Sequence, residues 1–183
     1  MSRFHLRPAA LSPDQCARII AHAAGAQMRD AGLVRQQTDH QIRRADIAWL
    51  DDIAGAGWVM DHMIALTAAA NRDAFGYDLT DFGESAQVAR YDAARQGHFD
   101  WHSDIGTGVW AAKRKLTIVV QLSDPDLYQG GTLQLQPDSA DHDAPRDLGC
   151  ATIFPSYMRH RVTPVTQGTR WSLTLWAHGP AFR

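Results

Sequence analysis

Cysteine is scarce in this chain: Cys16 and Cys150 are the two thiols among 183 residues, and they stand far apart. That excludes a disulfide framework and any local Cys-based zinc or iron–sulfur spacing, and a reducing compartment is the simpler setting. Long apolar runs are missing too. No stretch approaches the roughly 20 apolar residues of a membrane-spanning helix. Met1 to Ala10 interleaves Arg3, His5, Arg7 and Pro8 with small residues, so the continuous apolar core of a signal peptide is absent. A soluble, cytoplasmic protein without membrane partners is expected. Charge of one sign is lacking as well: Lys and Arg number 18 against 20 Asp and Glu, for a net charge of -2. Without a basic stripe to track a phosphate backbone, nucleic acid is not an expected partner. Repeats, low-complexity segments and linkers are not evident. With 45% apolar and 21% charged residues, the composition fits one domain over residues 1–183, which would bury about 70% of its unfolded surface without a disulfide or structural metal.

Two segments read as helices. Ser12, Pro13 and Gln15 form an N-cap, a first-turn proline and a capping-box partner, predicting a helix from about Pro13 to Met28. A proline-free run rich in Ala, Met, Ile and Leu predicts a second from about Ile53 to Ala74, ending near Gly76. From about residue 79 the texture changes to short β-branched and aromatic runs broken by Gly, Pro, Asp and Ser. Strands are expected at 86–91, 98–103, 115–122, 131–136, 150–154, 160–165 and 170–177, with mobile stretches at 105–113 and 137–147. Helices followed by many strands make an α+β, mainly β class. A sandwich or jelly-roll-like barrel with the helical part, about 1–78, on one face of a core over about 79–183 fits this order.

The chemistry concentrates in Gly97-His98-Phe99-Asp100-Trp101-His102-Ser103-Asp104. Potential ligands recur at every second residue, so on a regular strand they share one face, with Phe99 and Trp101 on the other. A His and an Asp separated by one residue can hold one metal ion, and a third ligand from another strand completes a 2-His-1-carboxylate triad that leaves coordination positions open for catalysis. His160 is the best remote ligand. If its strand turns at Thr166-Gln167-Gly168 and returns along Arg170-Trp171-Ser172, Arg170 lies about 13 Å from His160 on the same face. A dicarboxylate chelating the metal at one end could then reach Arg170, whose planar fork suits a carboxylate, with Ser172 as a second donor. On residue pattern alone, His98/Asp100 and His102/Asp104 are both open, and each part alone is ordinary surface or core.

In combination these residues resemble the iron(II) and 2-oxoglutarate dependent dioxygenases, and within them the prolyl 4-hydroxylase-like branch. The family's Tyr, then Gly-x-Tyr/Phe-x-x-His-x-Asp signature is matched by Tyr91, Gly97, Phe99, His102 and Asp104. Lys115-Leu116-Thr117, Gln121-Leu122-Ser123-Asp124-Pro125 and Gly130-Gly131-Thr132-Leu133 are similar to its paired core strands. Ile153-Phe154-Pro155-Ser156, His160-Arg161-Val162 and Gly168-Thr169-Arg170 look like its distal-histidine and arginine region. The resemblance implies a double-stranded β-helix (jelly-roll) with His102, Asp104 and His160 as iron ligands, selecting that pair over His98/Asp100. It implies Arg170 on the distal carboxylate of 2-oxoglutarate, with Ser172, Tyr91 and Gln121 as further cofactor-contact candidates; some relatives carry a tyrosine where Gln121 stands. Fe(II), 2-oxoglutarate and O2 would be required, with ascorbate a candidate reductant. The implied reaction is hydroxylation of an unactivated C–H of a prolyl peptide, amino acid or other small molecule, with release of succinate and CO2.

The 105–113 loop with Trp110 is the natural lid, and Trp101 and Tyr91 are candidate pocket walls. His98 and Asp100 would then support the site or line its entrance. Lys113, Arg114 and Lys115 could attract an acidic substrate or simply be a solvated strand entry. Cys150 reads as an inert buried thiol. Trp58, Trp101, Trp110, Trp171 and Trp176 would serve a homodimer patch or the core equally well. Competing classes are a cupin-like metal-binding protein with no use for Arg170 and Ser172, and a β-sandwich interaction module. A zinc protease fits poorly, because in His98-x-x-x-His102 the general-base position is Phe99 and the context is a strand.

Overall fold

The computed structural model describes residues 4–31, 33–34, 37–38, 42–52 and 55–182. Ser12 caps α1 (Pro13–Gly25) as its sequence predicts: its hydroxyl accepts from the Gln15 N–H while the Gln15 side chain accepts from the Ser12 N–H. β1 (His5–Arg7) precedes this helix. β2 (Arg29–Asp30), β3 (Leu33–Val34), β4 (Gln37–Thr38), β5 (Arg43–Arg44) and β6 (Asp46–Trp49) follow. α2 (Gly57–Ala70) ends in a single π-turn over Asn71–Phe75. There the Asn71 amide both donates to and accepts from the Tyr77 backbone, and Gly76 takes the left-handed conformation at φ 66 that closes the helix. The first two residues of the expected 53–74 helix lie outside the described residues.

The remaining strands are β7 (Gln87–Asp92), β8 (His98–His102), β9 (Arg114–Gln121), β10 (Tyr128–Gly130), β11 (Leu133–Gln136), β12 (His142–Asp143), β13 (Ala151–Pro155), β14 (Arg159–Val162) and β15 (Val165–His178). They form an eight-stranded antiparallel sheet ordered β1-β13-β9-β15-β7-β6-β2, with β10 also on β15, and a five-stranded sheet ordered β12-β11-β14-β8-β5. This is the expected jelly-roll, mainly β with helices. One face of the major sheet packs Val88, Leu116, Ile118, Val120, Ile153, Leu173 and Leu175 against Cys16, Ile19 and Ala23 of α1 and Val59, Met63 and Ala70 of α2. The other face looks toward the minor sheet across a cavity.

Two expectations need correction. The segment before residue 79 is not simply helical, because β1, β2 and β6 join the major sheet and β5 the minor one. The expected hairpin between the His160 and Arg170 strands does not form. β14 pairs with β11 and β8, whereas β15 pairs with β7, β9 and β10, so the chain crosses from one sheet to the other at Thr163–Pro164. Arg170 therefore faces the His160 sheet instead of lying along it. Among the described residues, no helix is long and apolar enough to cross a membrane.

Candidate metal centre and its cavity

β8 does not alternate as a regular strand would. Against β14, His102 sits opposite His160 and Phe99 opposite Val162, three steps on one strand against two on the other, which is a bulge. Phe99 and His102 consequently share the cavity face, with ring centroids 3.5 Å apart and planes 13° from parallel. His98 and Asp100 do not line the cavity: the His98 Nδ1 meets the Gln96 carbonyl, and Asp100 is exposed and accepts from the Trp101 N–H. Trp101 lies off the cavity wall, with the guanidinium groups of Arg159 and Arg161 at 5.7 and 4.7 Å from its ring centre. The expected common face for residues 98–104 and a wall role for Trp101 are thereby corrected, while Tyr91 does line the cavity.

His102, Asp104 and His160 offer ligand atoms that all lie within 4.8 Å of one another. The His102 Nε2 is 3.7 Å from one Asp104 oxygen and the His160 Nε2 is 3.6 Å from the other. The Nδ1 of His102 lies 2.7 Å from the Asp100 carbonyl, and that of His160 lies 3.0 Å from the Met158 carbonyl. A carbonyl oxygen only accepts, so each Nδ1 carries the proton and each Nε2 lone pair is left for a metal. Burial, then the neighbouring His160, pushes His102 down to about 4, which keeps it neutral. Burial alone would raise Asp104. The charges of His160 and His102, both protonated in the acid range where this group titrates, and the 2.7 Å hydrogen bond from Thr117 Oγ1 outweigh it and hold this carboxyl at about 2. Thr117 is itself 3.0 Å from Ser156 Oγ, and the Ser156 carbonyl accepts from the Asp104 N–H. Gly97 of the motif is required by close approach, since a Cβ there would stand 2.7 Å from the Asp92 nitrogen.

Arg170 is fully buried. Its Nε and Nη2 donate to Gln121 Oε1 at 3.2 and 3.0 Å, its Nη1 lies 3.4 Å from Ser172 Oγ, and its guanidinium lies 5.3 Å from the Tyr91 ring centre. Because arginine only donates, the Gln121 oxygen is fixed toward it. Gln121 thus braces Arg170 from behind instead of lining the cavity. None of the groups acting on Arg170 is a carboxylate. A buried, uncompensated guanidinium costs several kcal/mol unless an anion completes it, so the fit to an anionic ligand is direct. Gly131 makes room: a Cβ there would meet Arg170 Cδ at 2.9 Å.

The cavity encloses about 580 Å³ and includes the three candidate ligands, Tyr91, Arg170 and Ser172. Sequence reasoning missed several of its residues. Thr117 and Ser156 are ordinary small polar residues with no spacing signal, and Arg43, Trp49 and Gln87 lie on strands too short or too distant from the motif to stand out. Of the expected basic run, Arg114 lines the cavity but is matched by Glu84 at 2.6 Å, stacks on Trp176 at 4.1 Å, and donates to the Asp104 carbonyl at 3.0 Å. Lys115 lies over the Phe182 ring at 3.6 Å and Lys113 is exposed. No residue of 105–113 lines the cavity; Trp110 rests against His178, 5.4 Å between ring centres. Cys150 is buried, and desolvation raises its thiol.

The model of a family described as the 2OG-Fe(II) oxygenase superfamily matches residues 86–178. A PKHD-type hydroxylase of Cupriavidus metallidurans is 35% identical over 72 residues, 39% of this chain and 32% of that protein. One of Methylobacterium nodulans is 38% identical over 56 residues, 31% of this chain and 25% of that protein. The matched stretch therefore spans no more than about a third of these curated relatives. A Pseudomonas putida prolyl-4-hydroxylase superposes with a TM-score of 0.75 at 26% identity, covering 97% of this chain and 93% of that one. A Trichoplax adhaerens prolyl hydroxylase in complex with a hypoxia inducible factor peptide fragment does so with 0.76 at 19% identity, covering 96% and 83%, which speaks for the fold alone.

Proposed function

Since the chain belongs to the 2OG-Fe(II) oxygenase superfamily, we propose that it is an Fe(II)- and 2-oxoglutarate-dependent hydroxylase in which His102, Asp104 and His160 hold the iron and Arg170 receives the distal carboxylate of 2-oxoglutarate. When bound, iron with 2-oxoglutarate and O2 supplies the oxidation of a substrate C–H coupled to decarboxylation of 2-oxoglutarate to succinate and CO2. One observation carries the reading: two Nε2 atoms and a carboxylate converge in the same cavity as a buried arginine that has no counter-anion.

The protein's part is positioning and charge. The Asp100 and Met158 carbonyls hold the Nδ1 protons and so orient both imidazoles. Thr117 keeps Asp104 ionised and turned toward them. Gln121 and Ser172 aim the Arg170 fork, and the Tyr91 ring covers it. Val119, Leu133 and Val162 give the cavity dry walls. The substrate class is a prolyl peptide, an amino acid or another small molecule, and the prolyl-4-hydroxylase named among the similar structures favours a prolyl group.

The test is anaerobic addition of Fe(II) and then 2-oxoglutarate to apo protein, following the visible charge-transfer band of the chelate. The band is expected in the wild type, lost in His160→Ala and weakened in Arg170→Ala. Metal bound at one per chain with no band would overturn the assignment.

A further inference from the structure

Resting on that reading, we infer that the primary substrate carries a carboxylate and that Arg43, at the far end of the cavity from Arg170, receives it. Arg43 lies on the two-residue edge strand β5, opposite Phe99 of β8, and its guanidinium sits 4.6 Å from the Phe99 ring centre. Phe99 in turn stacks on His102, so this charge stands one ring away from a candidate metal ligand. Its Nη2 donates to Gln87 Oε1 at 2.6 Å, a neutral oxygen, and its buried Nε has no partner. Among the described residues, Arg43 forms no ion pair.

The register separates Arg170 from Gln87, the partner of Arg43. Gln87 is opposite Thr174 on β15, and Arg170 is four residues further along that strand, about 13 Å at the usual strand rise. A five-carbon diacid running from the metal to Arg170 therefore leaves the Arg43 end open, together with Gln87, Trp49, Thr174 and Trp176.

Charge balance points the same way. Asp104 is the one carboxylate among the lining residues, and Arg114 is already matched by Glu84. A dianionic 2-oxoglutarate offsets Arg170 and the charge remaining on iron beside Asp104, which leaves Arg43 unmatched. A cation in a partly enclosed, aromatic-walled site favours a charge-assisted hydrogen bond to a carboxylate over one to a neutral amide. The acidic-substrate attraction suggested by the basic run at 113–115 thus falls instead to Arg43.

The test uses the full chain loaded with Zn(II) in place of iron and saturated with 2-oxoglutarate, so that binding is read without turnover, by quenching of Trp49 and Trp176 fluorescence. The probes are the common free L-amino acids, their N-acetyl derivatives and the corresponding carboxamides. At least one acid is expected to bind about tenfold or more tightly than its amide. Arg43→Gln should abolish that preference, and Arg43→Lys should restore part of it. Gln87→Glu leaves the arginine in place but supplies an internal carboxylate, and it should weaken the acid by a similar factor. In all three variants 2-oxoglutarate affinity should stay within about twofold of wild type. Equal binding of acids and amides, no binding of any acid, or an unchanged preference in Arg43→Gln and Gln87→Glu would overturn the inference. Failure of the wild type to bind 2-oxoglutarate would instead overturn the proposed function on which it rests.

Discussion

Along β15, Leu173, Leu175 and Ala177 face the helices, while Arg170, Ser172, Thr174 and Trp176 face the cavity. Along β9 the same alternation sets Leu116, Ile118 and Val120 against Thr117 and Val119. Apart from the half-buried Thr174, both sets are buried, so accessibility does not separate them; what each touches does. The helix side is close-packed hydrocarbon, where lost volume is lost stability. On the cavity side, polar groups hold one another in geometries that only a ligand completes, so a change there should act on binding with little effect on folding.

The largest expected effect breaks this comparison from the helix side. Leu175 is fully buried between Thr174 and Trp176, both of which line the cavity. Leu175→Ala should lower the unfolding free energy by about 2–5 kcal/mol in denaturant titrations, yet leave Fe(II) affinity of the folded protein within about twofold. A tenfold loss of metal affinity would mean that the two faces are mechanically coupled.

From the cavity side, Thr117→Val keeps the branched shape but removes the hydroxyl that donates to Asp104. Supporting partners of this kind typically matter by about 10–100-fold in metal affinity, and that weakening is expected in a Fe(II) or Co(II) titration. Unfolding free energy should change by about 1 kcal/mol or less, the net worth of an ordinary hydrogen bond. A large stability loss without a change in metal affinity would show that Thr117 serves the core and not the site.

The chain states these two faces with unequal clarity. The strand alternation of β9 and β15 and the capping box of α1 are written in local spacing, and the jelly-roll is legible from them. Candidate ligands stand out because His-x-Asp and a later His recur in a pattern that chance seldom makes. The β8 bulge is invisible, since an extra residue in one strand is defined only by its partner, and it moves Phe99 onto the face where alternation would put Asp100. The relation of His160 to Arg170 is legible as proximity but not as route: a hairpin and a crossing between sheets look alike when Pro164 and Gly168 both stand between the two residues, and here Gly168 already belongs to β15. Arg43 and Gln87 meet across a sequence separation of 44, and a two-residue strand has no periodicity to announce it.

The smallest effect sharpens the comparison at its edge, where the cavity face meets solvent. Burial would raise Glu84, but hydrogen bonds from His178 and Arg114 and their charges outweigh it and hold the carboxyl at about 2, against its ordinary 4.5. A carboxyl depressed on folding contributes stability that is complete above its unfolded value and is lost as pH falls through the folded one. The wild type should therefore lose on the order of 1–2 kcal/mol from this group between pH 4.5 and 2, less than the full shift implies because Glu84 and Arg114 are partly solvated. Glu84→Gln should be less stable at pH 6 and flatter across that window, as read by denaturant midpoints at each pH. Because Arg114 also donates to the Asp104 carbonyl, the variant should weaken Fe(II) binding at pH 7 by a few-fold at most. If the midpoints shift but metal affinity does not, the Glu84–Arg114 pair belongs with the packed face, and the boundary between the two faces lies inside Arg114.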